Sequence, residues 1–455
     1  MTLGSLRADR LDDWGERFLC VCDPTPASIA WQTLSGDKLM MTSRLFTLTL
    51  LFWCALVYCS QNCSIAVGEE LDVWIGTRKP ADQPAGIYHL TFNDKTGKLS
   101  RSKLMAKREG AGFLAMHPTL DVLYATGNSL SAWQIVRNKD GVQLKRINEQ
   151  PTGAGGATHI SVDPTGQVLM SAHYGSGHIC VFPLRENGAI GKRATKIRHN
   201  EPSQVDAKRQ KTCHPHWIGS SADSRFVLVP DLGADKIFVY QLDAATRKLT
   251  RHGDCVAPPG SGPRHFKFHP TLPAGYLLNE FTMSLSVMDY DADQGTLTVT
   301  QNAPALSEEQ MASEMFNSAS EVRVHPSGKF LYSGNRGHDT ISAFAIDQTS
   351  GELSLIEQEP IRGCWPRNFN LDPSGKWLLA AGGHSHTLAV FKIDPQSGKL
   401  QYARSIASVP TPICVLVEPR NKREQAPLTT VGAIHDDKCG LLNIAFPRQA
   451  FISCQ

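Results

Sequence analysis

The chain lacks a strong charge of either sign. Its 46 Lys and Arg against 43 Asp and Glu leave a formal net charge of +3, with no basic run and no aromatic-interleaved cationic patch. Nothing therefore argues for a nucleic-acid binder. Closely spaced cysteines are also missing. Of 12 Cys, Cys20, Cys22, Cys54, Cys59 and Cys63 precede position 70, and Cys439 and Cys454 follow position 420. The five between them (Cys180, Cys213, Cys255, Cys364, Cys414) stand far apart with no Cys-x-x-Cys pair. They read as small buried apolar residues, not as a disulfide or zinc framework. There is no Ser nucleophile elbow and no clean metal-ligand spacing, so neither a metal nor a cofactor is expected. The longest apolar run, Leu45–Tyr58, is too short for a comfortable membrane span.

What the chain has is a repeat. A short apolar strand, a Pro-x-Gly-like turn and a second apolar strand recur seven times. Clear copies are Val324-His-Pro-Ser-Gly-Lys-Phe-Leu-Tyr332 and Leu371-Asp-Pro-Ser-Gly-Lys-Trp-Leu-Leu379. Pro fixes φ and Gly permits φ > 0, so the phrase joins antiparallel strands by a tight turn. A second phrase follows, as in Asp347-Gln-Thr-Ser-Gly-Glu-Leu353 and Asp394-Pro-Gln-Ser-Gly-Lys-Leu400; at Asp243–Leu249 Arg247 replaces its Gly. Each unit thus has four strands, a to d. Taking Pro118, Pro164, Ala222, Pro270, Pro326, Pro373 and Pro419 as anchors, the gaps run from 46 to 58 residues. The two long gaps place insertions near 185–212 and 301–319. A period near fifty residues of short strands predicts an all-β, seven-bladed β-propeller. Val73-Trp-Ile-Gly-Thr77 matches strand b, and its missing strand a appears as Cys414-Val-Leu-Val-Glu-Pro419. The C-terminal strand should therefore complete the first blade and close the ring over residues 70–420, abolishing open sheet edges.

Residues 1–40 carry no repeat and read as a misassigned or disordered extension. Residues 41–63, with Arg44 before the apolar run, read as a signal peptide without an Ala-x-Ala cleavage site. Export to the periplasm or outside follows if that signal is used, with no stable membrane span after cleavage; otherwise the protein is cytoplasmic. An uncleaved anchor is the alternative. Residues 421–455 form a tail beyond ring closure.

The ruler places the unusual residues. Six positions before each anchor, at the mouth of strand a, stand Gly112, Thr158, His216, Arg264, Ser320, Arg367 and Ile413. Ten positions after the anchors, at the end of strand b, stand Asn128, Tyr174, Leu232, Glu280, Arg336 and Gly383. Both sets should ring one mouth of the central channel. Three arginines converging there suit a carboxylate or phosphate, or a developing oxyanion. His216 is a candidate proton acceptor. Glu280 among arginines should stay ionised and could activate water or hold an arginine. His214 and His265 read as supporting residues, His338 and Asp339 as loop-shaping, and His384 and His386 as solvent-exposed. His117, His269 and His325, before the anchor turns, read as structural.

These phrases resemble the lactonase family of seven-bladed propellers, which includes propeller-type 6-phosphogluconolactonase and 3-carboxy-cis,cis-muconate cyclase. The resemblance rests on Ile75-Gly-Thr77, the His214-Pro-His216 pair, Gly262-Pro-Arg-His265, Asn279-Glu280, Asn335-Arg-Gly-His-Asp339 and Trp365-Pro-Arg367. It covers residues of about 72–418. It implies His216, Arg264, Glu280 and Arg336 as catalytic residues, with Arg264 and Arg336 as clamps and either His216 or Glu280 as base. His214, Arg367, Asn279, Asn335 and His265 would bind substrate. Cys213 and Pro215 depart from the family's Pro-His-Ala-His phrase, so the backbone of the His pair should differ. The implied reaction is metal-free opening of a sugar lactone by water, on a small anionic or sugar-lactone substrate. Export would favour an unphosphorylated lactone. The alternatives are a muconate-type lactonising cyclase and an exported, non-catalytic binding propeller.

Overall fold

The computed structural model describes residues 70–78, 84–139 and 141–420. The N-terminal extension, the proposed signal peptide and the tail lie outside the described residues. Among the described residues no helix is long and apolar enough to cross a membrane.

Seven antiparallel sheets form a ring, each built in strand order a-b-c-d except where noted. Blade 1 is split. Its strand a is Pro412–Pro419, which pairs with strand b at Glu70–Thr77 in the register Leu71↔Pro419 to Thr77↔Pro412. Its outermost strand is broken into Lys98–Leu99 and Lys103–Lys107. Closure is reinforced by a buried carboxylate. Asp72 bonds His89 Nε2 at 2.9 Å, Arg137 Nη2 of blade 2 at 2.8 Å and Arg420 Nε at 3.1 Å.

Apolar alternation fills the space between blades. Seven hydrophobic clusters each draw on two neighbouring blades; one joins Val73, Val415 and Val417 of blade 1 to Leu379 and Val390 of blade 7. The anchor turns add a repeated polar stitch. His117, His269 and His325 each place Nε2 at 3.0, 2.8 and 2.7 Å from the carbonyls of Gly166, Gly328 and Gly375 in the next blade's turn. Those glycines have φ of 71°, 72° and 72°, and a Cβ at Gly375 would lie 2.5 Å from the His325 ring. Glycine thus serves both the left-handed turn and the close approach. Arg247, where the hairpin phrase loses its Gly, takes φ 58° itself.

The departures lie at the mouth. In blade 4, strand a shrinks to Gly219–Ser220, with a lone bridge between Pro215 and Asp231. Pro215 has no N–H to give a regular ladder, so the His214–His216 segment is bonded piecemeal. His214 N donates to Asp231 Oδ1 at 2.6 Å and His216 N to Pro230 O at 3.1 Å. The two insertions become a loop at residues 199–212 after blade 3 and, after blade 5, the short helix α1 at Glu308–Ser313, capped by Ser307.

Candidate active site

A cavity of about 510 Å³ opens at the mouth where strands a begin and strands b end. Its walls include Gly112, Thr158, His216, Arg264, Arg367 and Ile413 from the first ruler set, and Tyr174, Glu280, Arg336 and Gly383 from the second. Ser320, Asn128 and Leu232 do not line it. Five arginines (Arg78, Arg209, Arg264, Arg336, Arg367) line it, and Glu280 is the one carboxylate among the lining residues.

The buried floor is one hydrogen-bonded unit. Arg264, 1% exposed, begins strand a of blade 5 (Pro263–Phe268), and its Nε donates to Ser320 O of blade 6 at 2.7 Å. Its Nη1 donates both to His216 Nε2 and to Glu280 Oε2. Arg336 ends strand b of blade 6, with Nε on Ser318 O at 3.1 Å and Nη2 on Ala319 O at 2.7 Å. From there Nη2 lies 3.4 Å from Glu280 Oε2. The other oxygen, Oε1, accepts from Arg209 Nη2 at 3.1 Å. Arg209 also reaches Tyr174 OH at 2.9 Å and lies over Phe281 at 4.7 Å.

Electrostatics follow from this wiring. Burial opposes ionisation of Glu280, but Arg264, Arg336 and Arg209 together outweigh it and hold the carboxyl at about 2. Burial and the facing arginines push His216 well below the usual imidazole range. A guanidinium can only donate, so His216 Nε2 accepts and the neutral ring carries its proton on Nδ1. Burial, then repulsion from Arg264, lowers Arg336 to about 9 against the pull of Glu280. Arg367, half-buried, makes no ion pair with a carboxylate among the described residues, and burial beside Arg264 and Arg336 pushes it well below its usual value. The site is over-supplied with positive charge, which an anion or a developing oxyanion would balance.

Four of the nine residues singled out from the sequence do not line the cavity. Asn279 Nδ2 bonds Ser284 and Ser286, and Asn335 Nδ2 bonds Thr340 and Ser342; both amides are fully buried within their own blades. They pin the strand ends that carry Glu280 and Arg336, because a strand's next residue points to the opposite face. His214 lies behind Tyr174, stacked on it at 4.3 Å. His265 sits deeper in the channel, where Nδ1 meets Glu321 Oε1 at 3.0 Å and burial lowers it to about 4 against the pull of that carboxylate.

Arg209, Trp365 and His384 are among the cavity residues to which the sequence reading gave no part in the site. Arg209 comes from the first insertion, whose position the spacing revealed but whose reach it could not. Trp365 holds φ 66°, an uncommon strain for an aromatic residue. Its N–H donates to Asp339 Oδ1 at 2.8 Å, and its ring stacks on His384 at 4.6 Å and lies 5.4 Å from the Arg336 guanidinium. His384 is exposed, yet this stack makes it part of the cavity wall. The signal for Trp365 was its place in the Trp-Pro-Arg phrase.

The sequence model for "Lactonase, 7-bladed beta-propeller" matches residues 72–417. A 6-phosphogluconolactonase of Bacillus subtilis is 31% identical over 335 residues, covering 72% of this chain and 93% of that protein. A 6-phosphogluconolactonase of Formosa agariphila is 32% identical over 312 residues, covering 66% and 86%. The solved structure of a periplasmic gluconolactonase from Pseudomonas aeruginosa superposes with a TM-score of 0.69 at 26% identity, covering 77% of this chain and 99% of that one.

Proposed function

The chain belongs to the seven-bladed β-propeller lactonase family, and on that footing we propose that it hydrolyses a sugar lactone by metal-free acid/base chemistry. The observation that carries this reading is the shared guanidinium of Arg264, which holds Glu280 and His216 in one buried unit beneath a cavity lined by five arginines.

The roles follow from the atoms. Arg367, which has no carboxylate partner among the described residues, and Arg336 beside it both line the cavity and receive the lactone carbonyl oxygen, whose negative charge grows as water attacks the carbonyl carbon. Glu280 takes a proton from that water. Its Oε2 is held by two arginines anchored on backbone, Arg264 and Arg336, whereas Oε1 is held only by the half-exposed side chain of Arg209, so Oε1 is the oxygen that can be freed to work. The tetrahedral intermediate collapses by breaking the ring C–O bond. Glu280 returns the proton to the departing ring oxygen, and the new carboxylic acid loses its own proton to solvent. His216 fixes the direction of Arg264 by accepting from Nη1. The periplasmic relative is in keeping with export through the segment at 41–63.

The test is the purified protein against δ- and γ-lactones, phosphorylated and not, with proton release followed at neutral pH. Ring opening that disappears in Glu280→Gln and weakens in His216→Ala supports the reading. No proton release from any lactone sinks it, and directs the next assay to 3-carboxymuconate, whose carboxylates the same arginines would accept.

A further inference from the structure

The two oxygens of Glu280 are held by different kinds of cation. Oε2 faces Arg264 and Arg336, each anchored on backbone carbonyls of blade 6. Oε1 accepts from Arg209, which arrives from the loop at residues 199–212 and not from a blade. The main chain beneath Arg209 is fixed. Asp206 Oδ1 accepts the N–H groups of Lys208 and Arg209 at 2.7 and 2.9 Å, and buried Gln210 Nε2 donates to Leu232 O at 2.9 Å and Asp235 Oδ1 at 2.6 Å. The side chain is not fixed in this way. It is 36% exposed, lines the cavity, and touches only Glu280, the Tyr174 hydroxyl and the face of Phe281 among the contacts described. A long side chain on a rigid base can change partner by rotamer changes alone.

Resting on the lactonase reading above, we propose that Arg209 reads an anionic substituent on the substrate. In moving from Glu280 Oε1 to that group, it frees the oxygen that activates water. A phosphate ester or a second carboxylate offers the paired oxygens that a guanidinium fork prefers. A neutral lactone offers nothing that competes with Glu280. The consequence for rate follows from base strength. A carboxylate faced by Arg264, Arg336, Arg209 and the more distant Arg367, with neutral His216 alongside, is a weak proton acceptor. Removing one guanidinium strengthens it, and general-base catalysis improves as the base's pKa approaches the working pH. Arg209 would then couple substrate charge to turnover, not only to affinity.

The experiment measures kcat and KM for a 6-phosphorylated aldonolactone, its unphosphorylated form and a carboxylate-bearing lactone, in the intact protein and in Arg209→Met and Arg209→Lys. The expected result in Arg209→Met is a kcat on the neutral lactone that rises roughly tenfold, because Glu280 is already released. The preference for anionic lactones falls by roughly ten- to a hundredfold, the weight of one charge-assisted hydrogen bond. Arg209→Lys should restore part of the preference, and the two anionic lactones tell a phosphate reader from a carboxylate reader. A neutral-lactone kcat that is unchanged or falls overturns the proposal. If the wild-type protein opens no lactone, the hydrolase reading fails separately. The exchange is then tested by calorimetry with inorganic phosphate. Glu280→Gln should bind phosphate about tenfold tighter than wild type, and that gain should vanish in the Arg209→Met/Glu280→Gln double variant. An equal gain in both backgrounds overturns the exchange.

Discussion

Replacing Glu280 by Gln should lower activity and stability together, and change how stability depends on pH. The carboxyl is 3% exposed and is held at about 2, against an ordinary 4.5, by three guanidinium groups. That depression, at about 1.4 kcal/mol for each tenfold change in proton affinity, makes the ionised group worth on the order of 3 kcal/mol to the folded state. The folded value is the lower one. The contribution is therefore complete above about pH 4.5 and is lost as pH falls towards about 2. Urea unfolding at neutral pH and at about pH 3 reads the effect directly. Glu280→Gln should be about 3 kcal/mol less stable at neutral pH, since three buried cations lose their counter-charge. The difference from wild type should shrink as the wild-type group is protonated. Subtracting the two curves removes other carboxylates such as Asp72 and Glu321. Activity should fall by roughly two to four orders of magnitude, the range for a lost general base. A variant that parallels the wild type across this pH range would refute the electrostatic reasoning, even if activity were lost.

Three further outcomes are expected. Asp72→Asn breaks the buried pairs to Arg137 and Arg420 at the ring closure, and should lower unfolding stability by roughly 3–5 kcal/mol in urea titration. Gly375→Ala should destabilise more than Gly155→Ala, because both have positive φ (72° and 76°) but only Gly375 would also press a Cβ on His325; the shared strain alone is worth roughly 1 kcal/mol. Trp365→Ala removes the ring beside Arg336 and His384, and steady-state kinetics should show KM raised roughly tenfold with kcat changed less.

The architecture was legible because a propeller repeats itself. The recurring Pro-x-Gly turn gave the blade count, and the displaced strand at Cys414–Pro419 gave the mode of closure. The same spacing brought His216, Arg264, Glu280, Arg336 and Arg367 to one mouth, since equivalent strand positions in a closed ring share a face. It failed where chemistry leaves the repeat. Asn279 and Asn335 neighbour Glu280 and Arg336 in sequence, but alternation turns them into the blades. Arg209 sits in an insertion, where no periodicity says which way a side chain reaches. Cys364, expected to be buried, is exposed, because it lies on the loop that precedes strand a of blade 7.

The split first blade also constrains how the molecule is made. Strand Glu70–Thr77 leaves the ribosome 335 residues (412 minus 77) ahead of the first residue of the strand that pairs with its inner edge. Until Pro412–Pro419 emerges, that edge presents unpaired backbone, and the nascent chain is an incomplete arc with two sticky ends. Blades 2 to 7 can form in order during synthesis, but circularisation waits until Pro412–Pro419 has emerged. The two strands that meet at the seam are each a terminus of the ring, so a circular permutant that joins them and opens another blade–blade connection would move that wait elsewhere without altering the finished structure.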